Sequence, residues 1–221
     1  MDNVIYITFP NNRQKMDSLE EELRSMIDIK KNKNKPERVA QIIRKWYANY
    51  SDDLYFPVIE LAQKMDIEVM NADFPNHKTD DRRNSDETTL KGYLGLYPTE
   101  DNRKPRIVVS NAESYGHQRW TVAHELWHYF THANDIRKEK NFYPENSNNY
   151  ELNDDSEEAC ANKFATELLM PARLFKIVYD ETAGKNIFSK GKDIEKLAEA
   201  FMVSNEAAKR RIDNLKKQGI I

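Results

Sequence analysis

The chain has 221 residues, of which 32% are charged and 39% hydrophobic, and its formal net charge is −3. This length supports one core and at most a small second unit, and the charge argues against non-specific binding to nucleic acid or anionic membranes. The single cysteine, Cys160, excludes an intramolecular disulfide, and no apolar run approaches the roughly 20 residues of a membrane span. Because the N-terminus also lacks the pattern of a signal peptide, we expect a cytoplasmic protein.

The first third of the chain is predicted to be mainly helical. Residues 1–35 form an N-terminal extension, with a charged helix over Asp17–Ile29 and a lysine-rich run, Lys30–Lys35, that is typical of a solvated linker. An amphipathic helix follows from Pro36 to about Tyr50. A second helix begins at Pro57, since proline is favoured in a first helical turn, and it ends near Met65. We assign the apolar stripe of the first of these helices to the core.

Three short segments with strand character come next. Ile67–Met70 alternates, and Leu90–Tyr97 and Arg106–Val109 are further candidates. Pro75–Glu87 is polar without periodicity and is predicted to be a loop. We therefore predict an α+β fold in which a small, antiparallel, three-stranded sheet packs on helices and precedes the next helix.

That next helix carries a His-Glu-x-x-His motif, His124-Glu125-x-x-His128. Residues four apart lie on one helix face about 6 Å apart along the axis, so both imidazoles can reach one ion. Glu125 is close enough to take a proton from a bound water without ligating the metal. The alternative, a surface helix with two solvated histidines, fits poorly with apolar neighbours that imply burial, namely Val122, Ala123, Leu126, Trp127 and Phe130.

A catalytic zinc site requires a third protein ligand. After a predicted polar loop, residues 133–155, a helix is expected over Asp155–Met170, with Pro171 as its stop. Glu158 on this helix can project to the metal, although it can equally cap or solvate the helix start, and Glu157 is the second choice. Asn162, one turn further on, can hold a ligating histidine by its free ring nitrogen.

Other potential donors are less suitable. His132 lies eight residues after His124, about 12 Å along a helix, so it cannot share the ion while the helix persists. Cys160 is turned away from Glu158 and is expected to be a small buried residue. His77 and His117 are predicted in loops, and neither is assigned as a metal ligand.

Two motifs together resemble a known family. Residues 121–129, which contain His124-Glu125-x-x-His128, and residues 158–171, which begin at Glu158 and end at Pro171, are similar to the ImmA/IrrE family of bacterial and phage metallopeptidases. The resemblance runs from about Pro36 to the C-terminus. It implies a gluzincin-like zinc endopeptidase, with Zn²⁺ on the two histidines and Glu158 and with Glu125 as the catalytic residue.

The resemblance also implies a substrate class. Members of this family commonly cleave a helix-turn-helix repressor encoded beside them, so such a repressor is the expected partner. Two positions depart from the family pattern, since Trp127 stands where the family often has glycine and Cys160 where it often has an acidic residue. Trp127 could narrow the substrate groove or pack underneath it.

The C-terminal residues are predicted to form a helix-turn-helix-like unit. Its helices are Asp193–Phe201 and Asn205–Lys217, with Ser204 capping the second. Basic residues on the second helix are compatible with DNA contact, but packing on the peptidase or docking of the repressor is favoured in an acidic chain. We divide the chain into the extension 1–35, a peptidase domain 36–175 and this unit, 176–221.

The predicted function is zinc-assisted hydrolysis of a peptide bond, because two imidazoles and one carboxylate favour zinc over manganese. An exposed strand at Arg106–Val109 would hold an extended substrate. Tyr129, Tyr150 and His117 are candidates for stabilising the oxyanion. Two alternatives remain open: a DNA-binding regulator that uses residues 193–217, and a zinc hydrolase of a non-peptide amide.

Overall fold

A computed structural model of the chain describes residues 21–47, 52–73, 92–98, 103–136, 157–183 and 190–221. The predicted loop Pro75–Glu87 and Tyr150 lie outside them. The described elements, in chain order, are α1 (Ile29–Asn32), α2 (Pro36–Trp46), α3 (Val58–Lys64), β1 (Glu68–Ala72), β2 (Gly92–Pro98), β3 (Arg103–Ser110), α4 (Tyr115–Ile136), α5 (Glu157–Leu169), α6 (Ala172–Ala183), α7 (Lys190–Phe201) and α8 (Asn205–Lys217). The predicted α+β class is confirmed. None of the described helices combines the length and the apolar character needed to cross a membrane.

The three strands form one sheet in the order β1-β3-β2. β2 pairs antiparallel with β3, whereas β1 pairs parallel with β3, with Glu68 opposite Arg106. The predicted all-antiparallel sheet is therefore wrong for the β1–β3 pair. The chain reverses direction once into β2 and again into β3, so β3 runs in the same direction as β1. Alternation of side chains is the same in both kinds of pairing, so it cannot reveal strand direction.

The sheet order also corrects the predicted substrate-binding strand. Arg106–Val109 belongs to β3, which is the central strand and is paired on both edges. Its apolar residues Ile107 and Val109 are buried in the core, which explains the strong strand pattern. A substrate cannot add to a strand whose two edges are occupied.

The N-terminal segment packs on the core. Residues 21–27 are helical, and Leu23 and Ile27 are fully buried, while the Arg24 guanidinium lies over the ring of Tyr129 at 4.9 Å. The lysine-rich run predicted as a solvated linker is instead partly helical, in α1. Asn32 is buried there, and its Nδ2 donates to the carbonyl of Ile27 at 2.7 Å. Leu23 and Ile27, the apolar residues that precede the lysine-rich run, hold this segment against the core, and the lysines do not prevent it.

A buried arginine joins α4 to the C-terminal helices. Arg119 is fully buried, and its guanidinium donates to the carbonyls of Phe201 at 2.9 Å and Phe56 at 2.7 Å, as well as to that of Met202. It thereby satisfies carbonyls at the end of α7, which have no partner inside the helix. A Cβ at Gly116 would stand 2.7 Å from the carbonyl carbon of Val203, so only glycine permits this approach.

A second buried charge attaches α8 to the core. The Arg211 guanidinium pairs with the Glu167 carboxylate, and both side chains are 7% exposed. Glu167 also accepts from Gln41 Nε2 at 3.2 Å and from the backbone NH of Ala172 at 3.3 Å. Ser204 caps α8 as predicted, its Oγ accepting from Ala207 NH at 3.2 Å. The division at residues 35 and 175 stays a prediction.

Candidate metal centre

The 22-residue helix α4 positions the His-Glu-x-x-His motif. Its apolar residues beside the motif are buried, as their spacing predicted: Val122, Ala123, Leu126, Trp127 and Phe130. The ring of Trp127 lies 5.4 Å from that of Phe164 on α5, so this tryptophan packs beneath the site instead of narrowing a groove. α4 also continues to Ile136, into the residues predicted to begin a loop. Because one face of α4 is buried in the core, the two histidines lie on the opposite face, which is partly exposed.

α5 brings a carboxylate to the two imidazoles. His124 Nε2 and His128 Nε2 lie 3.1 Å apart, and they lie 3.1 and 3.2 Å from the two oxygens of Glu158. One ligating atom from each residue lies within 4.8 Å of the others. Tetrahedral ligands about 2 Å from a zinc ion stand about 3.3 Å apart, so the spacing of these atoms fits one ion. Two imidazoles and one carboxylate are also a donor set of catalytic zinc sites.

The electrostatics of the cluster favour an ionised carboxylate. Hydrogen bonds from His124 and His128 hold the pKa of Glu158 well below its usual range, outweighing partial burial. Burial lowers the pKa of His128, but the hydrogen bond with Glu158 and the charges of Glu125, Glu158 and Glu157 raise it overall. The anionic surroundings therefore attract a cation to this point.

The neighbours of Glu158 on α5 have different contacts. Asn162 Oδ1 lies 3.0 Å from His124 Nδ1 and can accept a hydrogen bond from it, an arrangement that would leave Nε2 free to ligate an ion. Glu157 instead lies beside Thr131, whose Oγ1 donates to it at 3.4 Å. Cys160 is buried, as expected. α5 thus presents Glu158, rather than Glu157, to the histidines.

Two predictions need correction, the loop position of His117 and the candidacy of Tyr129 for stabilising the oxyanion. His117 lies in the first turn of α4 and not in a loop, and its Nδ1 is 3.1 Å from Glu113 Oε2. Tyr129 is buried beneath Arg24, so its ring is not available to a substrate. His132 belongs to α4, but its side chain and His77 lie outside the described residues.

Arg119 and Trp120 received no role from their sequence pattern. Arg119 falls on the apolar face of α4, three residues before Val122, and a charged group on such a face signals a buried, paired guanidinium. The Trp120 ring lies 5.2 Å from the His124 ring. Trp120 precedes His124 by four residues, as His124 precedes His128, and this spacing could have indicated that its ring lies on the same helix face as the two histidines.

The model of the peptidase M78 family, described as the IrrE N-terminal-like domain, matches residues 62–213. This range includes α4, α5 and the three converging residues His124, His128 and Glu158, and it begins later than the predicted start near Pro36. No curated protein matches the chain. Because the match covers well over half of the chain, the protein belongs to the ImmA/IrrE family of metallopeptidases, as the two motifs predicted.

Proposed function

We propose that the protein is a zinc-dependent endopeptidase that hydrolyses a peptide bond in a protein substrate. The observation that supports this most strongly is the mutual spacing of the ligating atoms of His124, His128 and Glu158, each within 4.8 Å of the others. These three residues would hold the ion in a gluzincin-like arrangement, with Asn162 orienting the first histidine. Membership of a metallopeptidase family supports the same chemistry.

Zinc held by His124, His128 and Glu158 would supply Lewis-acid chemistry, that is, polarisation of the scissile carbonyl and a lower pKa for an attacking water. Glu125 takes the proton of the attacking water and later delivers it to the leaving amine. Its position suits this role, because it follows His124 directly on α4 and its charge acts on the His128 ring. Glu158 remains ionised and supplies one negative charge to the site.

The substrate would bind as an extended strand beside β2. β2 is an edge strand of the sheet, and it packs against α4, which carries the proposed ligands. Among the described residues, β3 is its sole strand neighbour. A peptide that pairs with such an edge strand is held in place by backbone hydrogen bonds, which do not depend on the sequence of the peptide.

Replacing Glu158 by alanine is expected to weaken zinc binding at least about 100-fold, because changes to groups that merely support a ligand already cost 10- to 100-fold. The matched control is Glu157→Ala on the same helical turn, which should retain zinc because that carboxylate lies beside Thr131. Competition with a chromophoric chelator measures both affinities. Equal losses in the two variants would contradict the assignment of Glu158 as the ligand.

We further propose that the substrate is a helix-turn-helix repressor, on the basis of the family resemblance. The zinc-loaded protein should cut a repressor encoded beside its gene at one peptide bond, and mass spectrometry of the products locates that bond. Cleavage should stop when zinc is removed with a chelator and return when zinc is added. A repressor that stays intact, while another amide is hydrolysed, would favour the non-peptide alternative.

DNA binding by residues 193–217 is the competing function, and two contacts argue against it. Reading DNA with a helix-turn-helix requires the start of the second helix to enter the major groove. Here Val203 and Ser204, at the start of α8, lie against Gly116 of α4, and Arg211 is buried with Glu167. We therefore propose that α7 and α8, a helix-turn-helix-like pair, serve as scaffold or repressor-docking surface.

A further inference from the structure

A stripe of aromatic rings runs along the partly exposed side of α4. Its members are His117, Trp120, His124 and His128, spaced three or four residues apart, and successive ring centroids are separated by 6.2, 5.2 and 4.9 Å. Side chains at this spacing share one helix face. Trp120 is consequently the ring that adjoins the proposed zinc ligands on the side toward the start of α4.

The Trp120 side chain is only partly buried. It packs against the hydrophobic core, yet part of its surface stays accessible, unlike Trp127, which is 1% exposed. An indole has the largest apolar surface of any side chain. Removing the exposed part of that surface from water, by covering it with an apolar group, would be favourable in free energy. A peptide bound at the proposed zinc site would supply that cover.

The neighbours of Trp120 hold the indole in place. On one side the His124 ring lies at an interplanar angle of 35°, and on the other the His117 ring meets it nearly edge-on, at 75°. His117 is itself fixed by Glu113, whose Oε2 lies 3.1 Å from its Nδ1. The indole is therefore flanked along α4 by two imidazole rings, and the Glu113 carboxylate next to them is engaged with His117.

We propose that Trp120 forms the floor of a specificity subsite for a large apolar side chain of the substrate, of the size of leucine or phenylalanine. This inference rests on the proposed peptidase function and adds the chemical class of the residue beside the cleaved bond. The side chain packs on the indole while the adjacent peptide group lies at the metal. The Glu113–His117 pair positions the indole and does not take part in the chemistry.

The test uses the full-length, zinc-loaded protein and two hydroxamates, which bind zinc directly and require no turnover. Acetohydroxamate has no side chain to fill a subsite, whereas an N-acylated leucine hydroxamate has an isobutyl group. Calorimetry should find that Trp120→Ala weakens the leucine hydroxamate about tenfold and leaves acetohydroxamate within twofold. Trp120→Phe should retain most of the difference between the two compounds, because a smaller aromatic floor remains.

The control is Tyr115→Ala, which removes an aromatic ring that is 48% exposed and lies on the opposite side of α4. It should bind both hydroxamates like the wild type. If Trp120→Ala weakens both compounds equally, the indole merely orients His124 and the subsite does not exist. If the leucine compound binds no tighter than acetohydroxamate to the wild type, the subsite is likewise excluded.

Failure of the proposed function would be seen separately. A wild-type protein that shows the expected hydroxamate difference but cuts no peptide in a proteome-derived library would retain the subsite and lose the peptidase assignment. A wild type that does cleave should prefer a large apolar residue at one position next to the cut. Trp120→Ala should remove that preference, and an unchanged preference would overturn the inference.

Discussion

Glu125→Gln is expected to reduce cleavage of the protein substrate by about 10²- to 10⁴-fold, the usual contribution of a general acid–base group. Glutamine keeps the size of the side chain but cannot accept the proton of the attacking water. The three proposed ligands are unaffected, since Glu125 is not one of the groups that converge within 4.8 Å. The fold and the zinc content should therefore stay those of the wild type.

Rates of product formation, zinc content by atomic absorption and melting temperature are measured on the same preparations. Glu195→Gln serves as the matched control, because Glu195 is an exposed carboxylate on α7, and it should cleave like the wild type. Undiminished cleavage by the Glu125 variant would remove this residue from the mechanism. A biological effect that persists without cleavage would instead support the regulator function.

The second large effect concerns stability. Glu167→Ala is expected to destabilise the protein by about 3–5 kcal/mol, because it leaves the Arg211 guanidinium buried without its counter-charge. Both side chains are only 7% exposed, so water cannot replace the lost partner. The same change also removes the acceptor for Gln41 and for the backbone NH of Ala172 at the start of α6. Urea denaturation measures the free energy of unfolding.

Two further variants show whether burial is the cause. Glu206→Ala breaks an exposed ion pair with Arg210, one turn apart on α8, and should cost less than about 0.5 kcal/mol. The double variant Glu167→Leu, Arg211→Met replaces both charges and should recover much of the lost stability. Similar costs for Glu167→Ala and Glu206→Ala would show that the Arg211 pair does not hold α8 on the core.

Features that depend on neighbours along the chain were predictable. The four-residue spacing of His124 and His128 and the apolar residues between them define one helix with a buried face and a polar face. α5 was predicted within two residues, because Pro171 cannot continue a helix. α8 and its Ser204 cap followed from equally local patterns.

Features that depend on contacts between helices and strands far apart in the sequence could not be predicted from local patterns. Glu157 and Glu158 are equivalent on spacing alone, and only the packing of α5 on α4 brings the second of them to the histidines. The direction of β1 relative to β3 was predicted incorrectly, since alternation does not encode it. The partners of Arg119 and Arg211 lie 82 and 44 residues away, at Phe201 and Glu167.

By itself the sequence determined the pair of imidazoles with the glutamate between them, the family motifs and most helix positions, because each arises from contacts within one or two helical turns. Tertiary structure alone decided which carboxylate joins the histidines, which strand is central, and that helical residues 21–27 and α8 belong to the core. Those outcomes depend on burial and hydrogen bonding between segments far apart in the chain, for which local periodicity carries no information.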